Sequence, residues 1–309
     1  MSKLTVASSP HAYGERTTSH IMADVLIALL PALVAACILY GMRSLLIVAF
    51  CTLSCVLLEY ICRLVMKRKN TVTDLSAAVT GVLLALTLPP DIPLHLTLVG
   101  SVTAIVVVKQ MFGGLGNNFV NPALVGRIVM LVSFPAEMTS FRDTVFHDAV
   151  TGATPLNPSY AGDASYLDMF LGNIGGSIGE TCKLAILVGL VYLLVRRVIS
   201  PVIPIFYVGT VALFALIVNQ DVLFAVLSGG LLFGAVFMAT DYVTTPVTAF
   251  GKIVFAVGCG LITVLIRFYA KMDESVSYAI VLMNIVTPLI DRIALGAPFG
   301  SKKGKGGAV

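Results

Sequence analysis

The feature that most constrains this chain is a succession of apolar runs, each close to the length that a helix needs to cross lipid. Reading along the 309 residues, the runs fall at about 22–42, 44–66, 73–89, 93–112, 118–135, 180–196, 201–218, 222–239, 251–270 and 276–294. Hydrophobic residues make up 58% of the sequence and charged residues 12%, with a mean hydropathy of +0.97. A soluble domain of this size does not carry that balance, so the expected solvent is the bilayer. The expected fold class is all-α integral membrane, with about ten transmembrane helices.

Between the fifth and sixth runs lies the single long loop, from about 136 to 179, which divides the chain into 1–135, 136–179 and 180–309. Lys and Arg distribute unevenly across the alternate loops. With both termini in the cytoplasm, Lys3, Arg16, Arg63, Lys67, Arg68, Lys69, Lys109, Arg196, Arg197, Lys252, Arg292 and the basic tail share one side, whereas Arg43, Arg142, Lys183, Arg267 and Lys271 take the other. This asymmetry places loop 136–179 outside the cytoplasm. The formal charge of +4 is then a topology signal and calls for no nucleic-acid partner.

The halves echo each other. Thr80-Gly81 and Ser228-Gly229 open corresponding glycine-containing spans, and Leu124-Val125-Gly126-Arg127 is matched by Leu289-Ile290-Asp291-Arg292. An odd number of helices per half gives two inverted five-helix repeats, a transporter-like arrangement whose Gly- or Pro-interrupted segments mark the centre. The third and eighth spans are expected to be buried against each other there. Intramembrane ionisable residues are the next candidates, namely Glu59, Asp74, Arg127, Asp241 and Asp291, with Arg127 nearest a helix centre. The six cysteines show no C-x-x-C spacing, so any redox centre is expected to be organic.

Within the loop stands Asp148-Ala149-Val150-Thr151-Gly152-Ala153-Thr154-Pro155-Leu156. Gly152 and Ala153 clear space beside Thr154, and Pro155 biases Thr154 toward extended backbone. The stretch resembles the D-x-x-[S/T]-G-A-[S/T] motif on which flavin transferases attach FMN through a phosphoester to the last hydroxyl, here that of Thr154. Further likeness lies in Ser8-Ser9-Pro10-His11, Gly116-Asn117-Asn118, Asn121-Pro122-Ala123-Leu124, Gly175-Gly176-Ser177-Ile178-Gly179-Glu180 and Ala239-Thr240-Asp241. Together these stretches resemble the D subunit of the Rnf ferredoxin:NAD⁺ oxidoreductase complex, a family shared with the B subunit of the sodium-translocating NADH:quinone reductase.

That resemblance implies a bacterial inner-membrane protein that relays electrons through covalent FMN on the extracytoplasmic side while Na⁺ or H⁺ crosses. It also implies the other Rnf subunits as partners, a flavin transferase for maturation, and room by analogy for a second, noncovalent flavin such as riboflavin. Cofactor-binding residues would be Thr154 with Asp148, Thr151, Gly152, Ala153 and Pro155. Phe141, Phe146, Tyr160, Tyr166 and Phe170 are candidate ring contacts, and Arg142, Lys183 and Asn157 candidate partners of anionic flavin or phosphate. Backbone N–H groups at Gly175 to Glu180, opening the sixth helix, would favour negative charge. The rival class is a flavin-free solute transporter or channel on the same repeats, and the motif at Thr154 is what separates the two.

Overall fold

The computed structural model describes residues 17–142, 144, 151–152, 156, 165–270, 272 and 274–294. Helix α1 (Thr18–Tyr40) is capped by the Thr17 hydroxyl, which accepts from His20 N–H. A one-residue turn at Gly41, with φ of +78°, leads into α2 (Met42–Val65). These two, with α12 (Ala249–Tyr269) and α13 (Ser275–Ala294), are the four described helices long and apolar enough to cross a membrane. Large apolar side chains lie exposed along them, including Leu30, Ile38, Leu53, Leu57, Leu265 and Leu289. Such a surface is stable in lipid, and the chain is a membrane protein.

The intervening apolar helices are shorter: α3 (Ser76–Leu86), α4 (Leu94–Val102), α5 (Pro122–Ser133), α8 (Lys183–Val195) and α9 (Val202–Ile217). Helix α4 runs on as a π-helix over Thr103–Gln110. In the second half α10 (Val222–Leu227) stops at Ser228, Gly229 takes φ of +61°, and α11 (Leu231–Phe233) continues as a second π segment over Gly234–Met238. The run expected as one helix over 222–239 is therefore broken in its middle. Short α6 (Pro135–Met138) and α7 (Tyr166–Leu171) flank a two-stranded bridge, β1 (Phe141–Arg142) with β2 (Thr151–Gly152).

Helix α3 shows how a broken helix survives at depth. Its first turn is fixed by Asp74, whose Oδ1 accepts from Ser76 N–H at 2.8 Å, and Pro89-Pro90 bars continuation beyond Thr87. Carbonyls left over at that end need donors, because lipid supplies none. They find them: Leu86 O accepts from Gly179 N–H at 2.7 Å, Leu88 O from Ile178 N–H at 3.0 Å, and Thr87 O from the Arg127 guanidinium. A Cβ on Gly179 would sit 2.6 Å from the Leu86 Cβ, so only glycine lets the two backbones meet. The Gly175–Gly179 run thus caps α3, and α8 opens only at Lys183, contrary to the expectation that this run's N–H groups start the sixth helix.

Packing is dominated by α2 on α3 and α4, α9 on α12, and α12 on α13, with α1 against α8 and α5 against α13. Gly81 lets α3 close on α2, where a Cβ would lie 2.7 Å from Thr52 Cα, while Gly229 faces Leu156. The expected meeting of the third and eighth spans through these glycines is therefore not what the glycines serve. The two segments both line one cavity of about 90 Å³, Ser76, Thr80 and Leu83 from one and Val236, Phe237 and Thr240 from the other.

Candidate functional site

The motif residues Asp148, Ala153, Thr154 and Pro155 lie outside the described residues, as do Phe146, Asn157 and Tyr160. What is described brackets them. The backbone of Thr151 and Gly152 pairs antiparallel with Arg142 and Phe141. Phe141 is buried, and Thr144 Oγ1 donates to Asn173 Oδ1 at 2.7 Å, tying the loop to the segment before α8. Leu156 packs on Gly229, where a Cβ would stand 2.7 Å from its Cδ1. Tyr166 does not join them: its hydroxyl donates to Asp221, the N-cap of α10, and its ring is exposed. Phe170 sits half-buried on α7.

Beneath this loop is a polar cluster centred on Arg127 in α5. Its Nη1 donates to Glu180 Oε1 at 2.7 Å and to Thr87 O, its Nε to Glu274 Oε2 at 3.0 Å, and its Nη2 to Ser177 Oγ at 3.3 Å and to Glu274 Oε1. All five guanidinium donors are used. Lys183, fully buried, donates to Gly229 O at 3.0 Å and to Glu180 O. A Cβ on Gly230 would lie 2.6 Å from the Glu180 carboxyl carbon, so glycine there makes room for the acid. A cavity of about 40 Å³ adjoins the cluster, bounded by Leu156, Glu180, Lys183, Gly230 and Glu274. Lys183 was a candidate partner for flavin phosphate, but its described hydrogen bonds go to two backbone carbonyls. The Arg142 side chain lies outside the described set.

A second cluster lies at the far end of α2. Lys109 Nζ meets Glu59 Oε2 at 2.9 Å and Ser76 Oγ at 2.6 Å, and Gln110 Nε2 and Thr71 Oγ1 donate to Glu59 Oε1 at 3.0 and 3.2 Å. Lys109, counted on the cytoplasmic side in the sequence, is 2% exposed; the acid opposite it was one of the ionisable candidates. The other candidates have local duties. Asp74 caps α3, Asp241 accepts from the Thr244 hydroxyl at 3.2 Å, and Asp291 accepts from Val247 N–H at 3.1 Å.

Sequence reasoning missed Glu274 and gave Asn121 no role beyond the family resemblance. Asn121 caps α5 through Ala123 N–H at 3.0 Å and donates to Met238 O at 3.3 Å, closing the second π segment. The signal was present as a polar residue directly before an apolar run, the usual mark of an N-cap. Glu274 stands just ahead of α13 in the same way.

Comparison with known sequences gives the family. The profile of the NQR2, RnfD, RnfE family matches residues 5–300. The D subunit of the Na(+)-translocating ferredoxin:NAD(+) oxidoreductase complex of Acetobacterium woodii is 49% identical over 306 residues, covering 97% of this chain and 96% of the relative. The D subunit of the proton-translocating ferredoxin:NAD(+) oxidoreductase complex of Clostridium ljungdahlii is 40% identical, covering 97% of each. The D subunit of an ion-translocating oxidoreductase complex of Stutzerimonas stutzeri is 35% identical, covering 92% of each. Matched over almost its full length, the chain belongs to the NQR2, RnfD, RnfE family.

Proposed function

We propose that this chain is the D subunit of an ion-translocating ferredoxin:NAD⁺ oxidoreductase complex, that Thr154 carries FMN as a phosphoester, and that loop 136–179 presents it outside the cytoplasm. The observation that carries the reading is the seating of the motif's flanks: Gly152 is paired to Phe141 and Leu156 rests on Gly229. Thr154 is two residues from each, and two residues of chain span at most about 7 Å. The described flanks Phe141 and Leu156 line the cavity beside the Arg127 cluster. Bound flavin supplies one- and two-electron chemistry. The chain's own part is to hold the threonine hydroxyl, to keep water and lipid apart at the α3 break, and to keep two carboxylates neutralised beside the cavity.

In this reading the spans are α1, α2, α3, α4 with its π continuation, α5, α8, α9, α10 through the second π segment, α12 and α13, arranged as inverted repeats 1–135 and 180–309 in the cell membrane. Support comes from helix ends. Lys67 and Asn219 both take left-handed backbone, with φ of 52° and 56°, two residues past α2 and α9, and the next residue of each donates back to Arg63 O and Ala215 O, an ending that α8 shares at Arg197. The fourth helix of each half also sends a cation to the third: Lys109 to Ser76 Oγ and Arg267 to Ser228 Oγ at 3.5 Å. The proposed match of Leu124–Arg127 with Leu289–Arg292 does not fit, because Arg127 is in the second turn of α5 and Arg292 in the last turn of α13. Other Rnf subunits and a flavin transferase are the partners this reading requires. A second flavin such as riboflavin, and the choice between Na⁺ and H⁺, stay open within it.

The test is intact-mass analysis and in-gel fluorescence after coexpression with a flavin transferase. The wild-type chain should gain the mass of one FMN, and Thr154→Val should lose both mass and fluorescence while still inserting. A wild-type chain without added mass would remove the flavin from the proposal and favour the flavin-free transporter, for which the cavity between the halves would be the pathway.

A further inference from the structure

Arg63, in the last turn of α2, is a buried cation that the redox reading does not use. It is 8% exposed, and its Nε is fully buried with no hydrogen-bond partner. Among the described residues it forms no ion pair. The nearest acid in sequence, Glu59 one turn earlier, is committed to Lys109, Gln110 and Thr71. The guanidinium lies against Gly114, which takes φ of +98°, and any side chain there would collide with it. A buried guanidinium left without an anion is costly, and an anion that pairs with it lowers that cost.

The surroundings say which anion. Lys67, Arg68 and Lys69 follow directly, all exposed, and no acid occurs between Glu59 and Asp74. The left-handed turn at Lys67 folds the chain back so that Arg68 N–H donates to Arg63 O at 3.0 Å, bringing the basic run over the helix end. Down the same helix Leu57, Ile61 and Leu64 recur at helical spacing, and each is half or more exposed. Beyond Gly114, Met111 and Phe112 are exposed as well, and Phe112 meets Phe119 edge-to-face at 4.9 Å. The matching end of α9 carries Ala215, Asn219 and Gln220 and no cation, so the fold itself does not demand the charge.

We propose that Arg63 and the basic run after it form a binding site for the phosphate of an anionic phospholipid, whose acyl chains lie along Leu57, Ile61 and Leu64. The leaflet, the cytoplasmic one, rests on the orientation proposed above; the phosphate site does not. Basic residues at a helix end on that side are attracted to acidic lipid, by about a fivefold change in affinity per cation.

The test uses the purified complex containing the full chain, exchanged into detergent with dioleoyl phosphatidylglycerol or dioleoyl phosphatidylcholine and examined by native mass spectrometry. Phosphatidylglycerol should be retained at least fivefold better than phosphatidylcholine by the wild type. Arg63→Gln should remove that preference, and Arg292→Gln, an exposed arginine on α13, should keep it. Because the two-lipid comparison needs no variant, it decides the matter even if Arg63→Gln fails to assemble: equal retention of the two lipids overturns the proposal. So does unchanged phosphatidylglycerol retention in Arg63→Gln, and loss of a neighbouring protein with lipid unchanged would assign Arg63 to a protein contact instead. Labelling of Lys69→Cys from outside intact cells would overturn the leaflet, while the lipid ratio would still read the phosphate site.

Discussion

The two buried ion clusters have the same chemistry and opposite reach. Around Lys109, every partner belongs to the first half: Glu59 on α2, Ser76 at the start of α3, and Gln110 beside it. Around Arg127, the partners are drawn from three places that the sequence keeps far apart: the end of α3, the Ser177–Glu180 segment before α8, and Glu274 before α13. The first cluster stitches one half together, and the second joins the halves to each other and to the segment that follows the Asp148–Leu156 stretch. A lysine suffices for the first because one ammonium meets one carboxylate. The second needs the planar fork of arginine, since a point charge does not address two acids and a carbonyl in fixed directions.

The largest effect should come from Arg127→Gln, which strands two carboxylates where water is excluded. Removing one partner of a buried pair costs about 3–5 kcal/mol, and here two are orphaned at once. If the halves are expressed as separate chains cut between 143 and 164, they should copurify with Arg127 present and fail to do so with Arg127→Gln. Copurification of the variant halves would break the comparison.

A smaller loss, about 3 kcal/mol, is expected for Lys109→Met, with the split halves still copurifying. Adding Glu59→Gln removes the stranded charge and should restore most of the thermal stability. A double variant no more stable than the single would mean that the cluster is not a closed pair.

The smallest effect concerns Tyr166 and Asp221, where α7 meets the cap of α10. The Tyr166 hydrogen bond, with the Phe224 and Leu223 N–H groups, holds the Asp221 carboxyl below its usual range, and the same bond to Asp221 raises the Tyr166 phenol. A depressed acid stabilises above its unfolded value of about 4 and loses that contribution as pH falls through the folded value. A raised phenol stabilises below its unfolded value of about 10 and loses that contribution as pH rises through the folded one. Docking of α7 should therefore be flat between those limits, as read by limited proteolysis of the loop. Tyr166→Phe should speed cleavage slightly throughout that window and leave the membrane core unchanged.

The long helices were legible because lipid imposes a length and a composition: the runs at 22–42, 44–66, 251–270 and 276–294 differ from α1, α2, α12 and α13 by a few residues at most. The breaks were less so. Ser228-Gly229-Gly230 reads as three small residues in an apolar run, and only the Glu180 carboxylate beside Gly230 and the Lys183 ammonium on Gly229 O show why the helix must stop there. Arg127 was recognisable as an expensive charge in lipid, but its partner Glu274 was not, because the pairing crosses from one half to the other and leaves no local spacing to read. Lys109 shows the converse: counting charges by side said nothing of its burial, and its side chain turns inward to Glu59. The resemblance at Asp148 to Leu156 pointed to a cofactor that packing and periodicity alone could not have suggested.

The capping of α3 by residues 178 and 179 has a consequence for biogenesis. A ribosome delivers α3 to the membrane long before it delivers Gly179, so the carbonyls of Leu86 and Leu88 must wait without their eventual donors. During that interval the first half lacks those two donors. Residues 1–135 released alone should then be degraded, and the step that completes them is the arrival of residues 178 and 179.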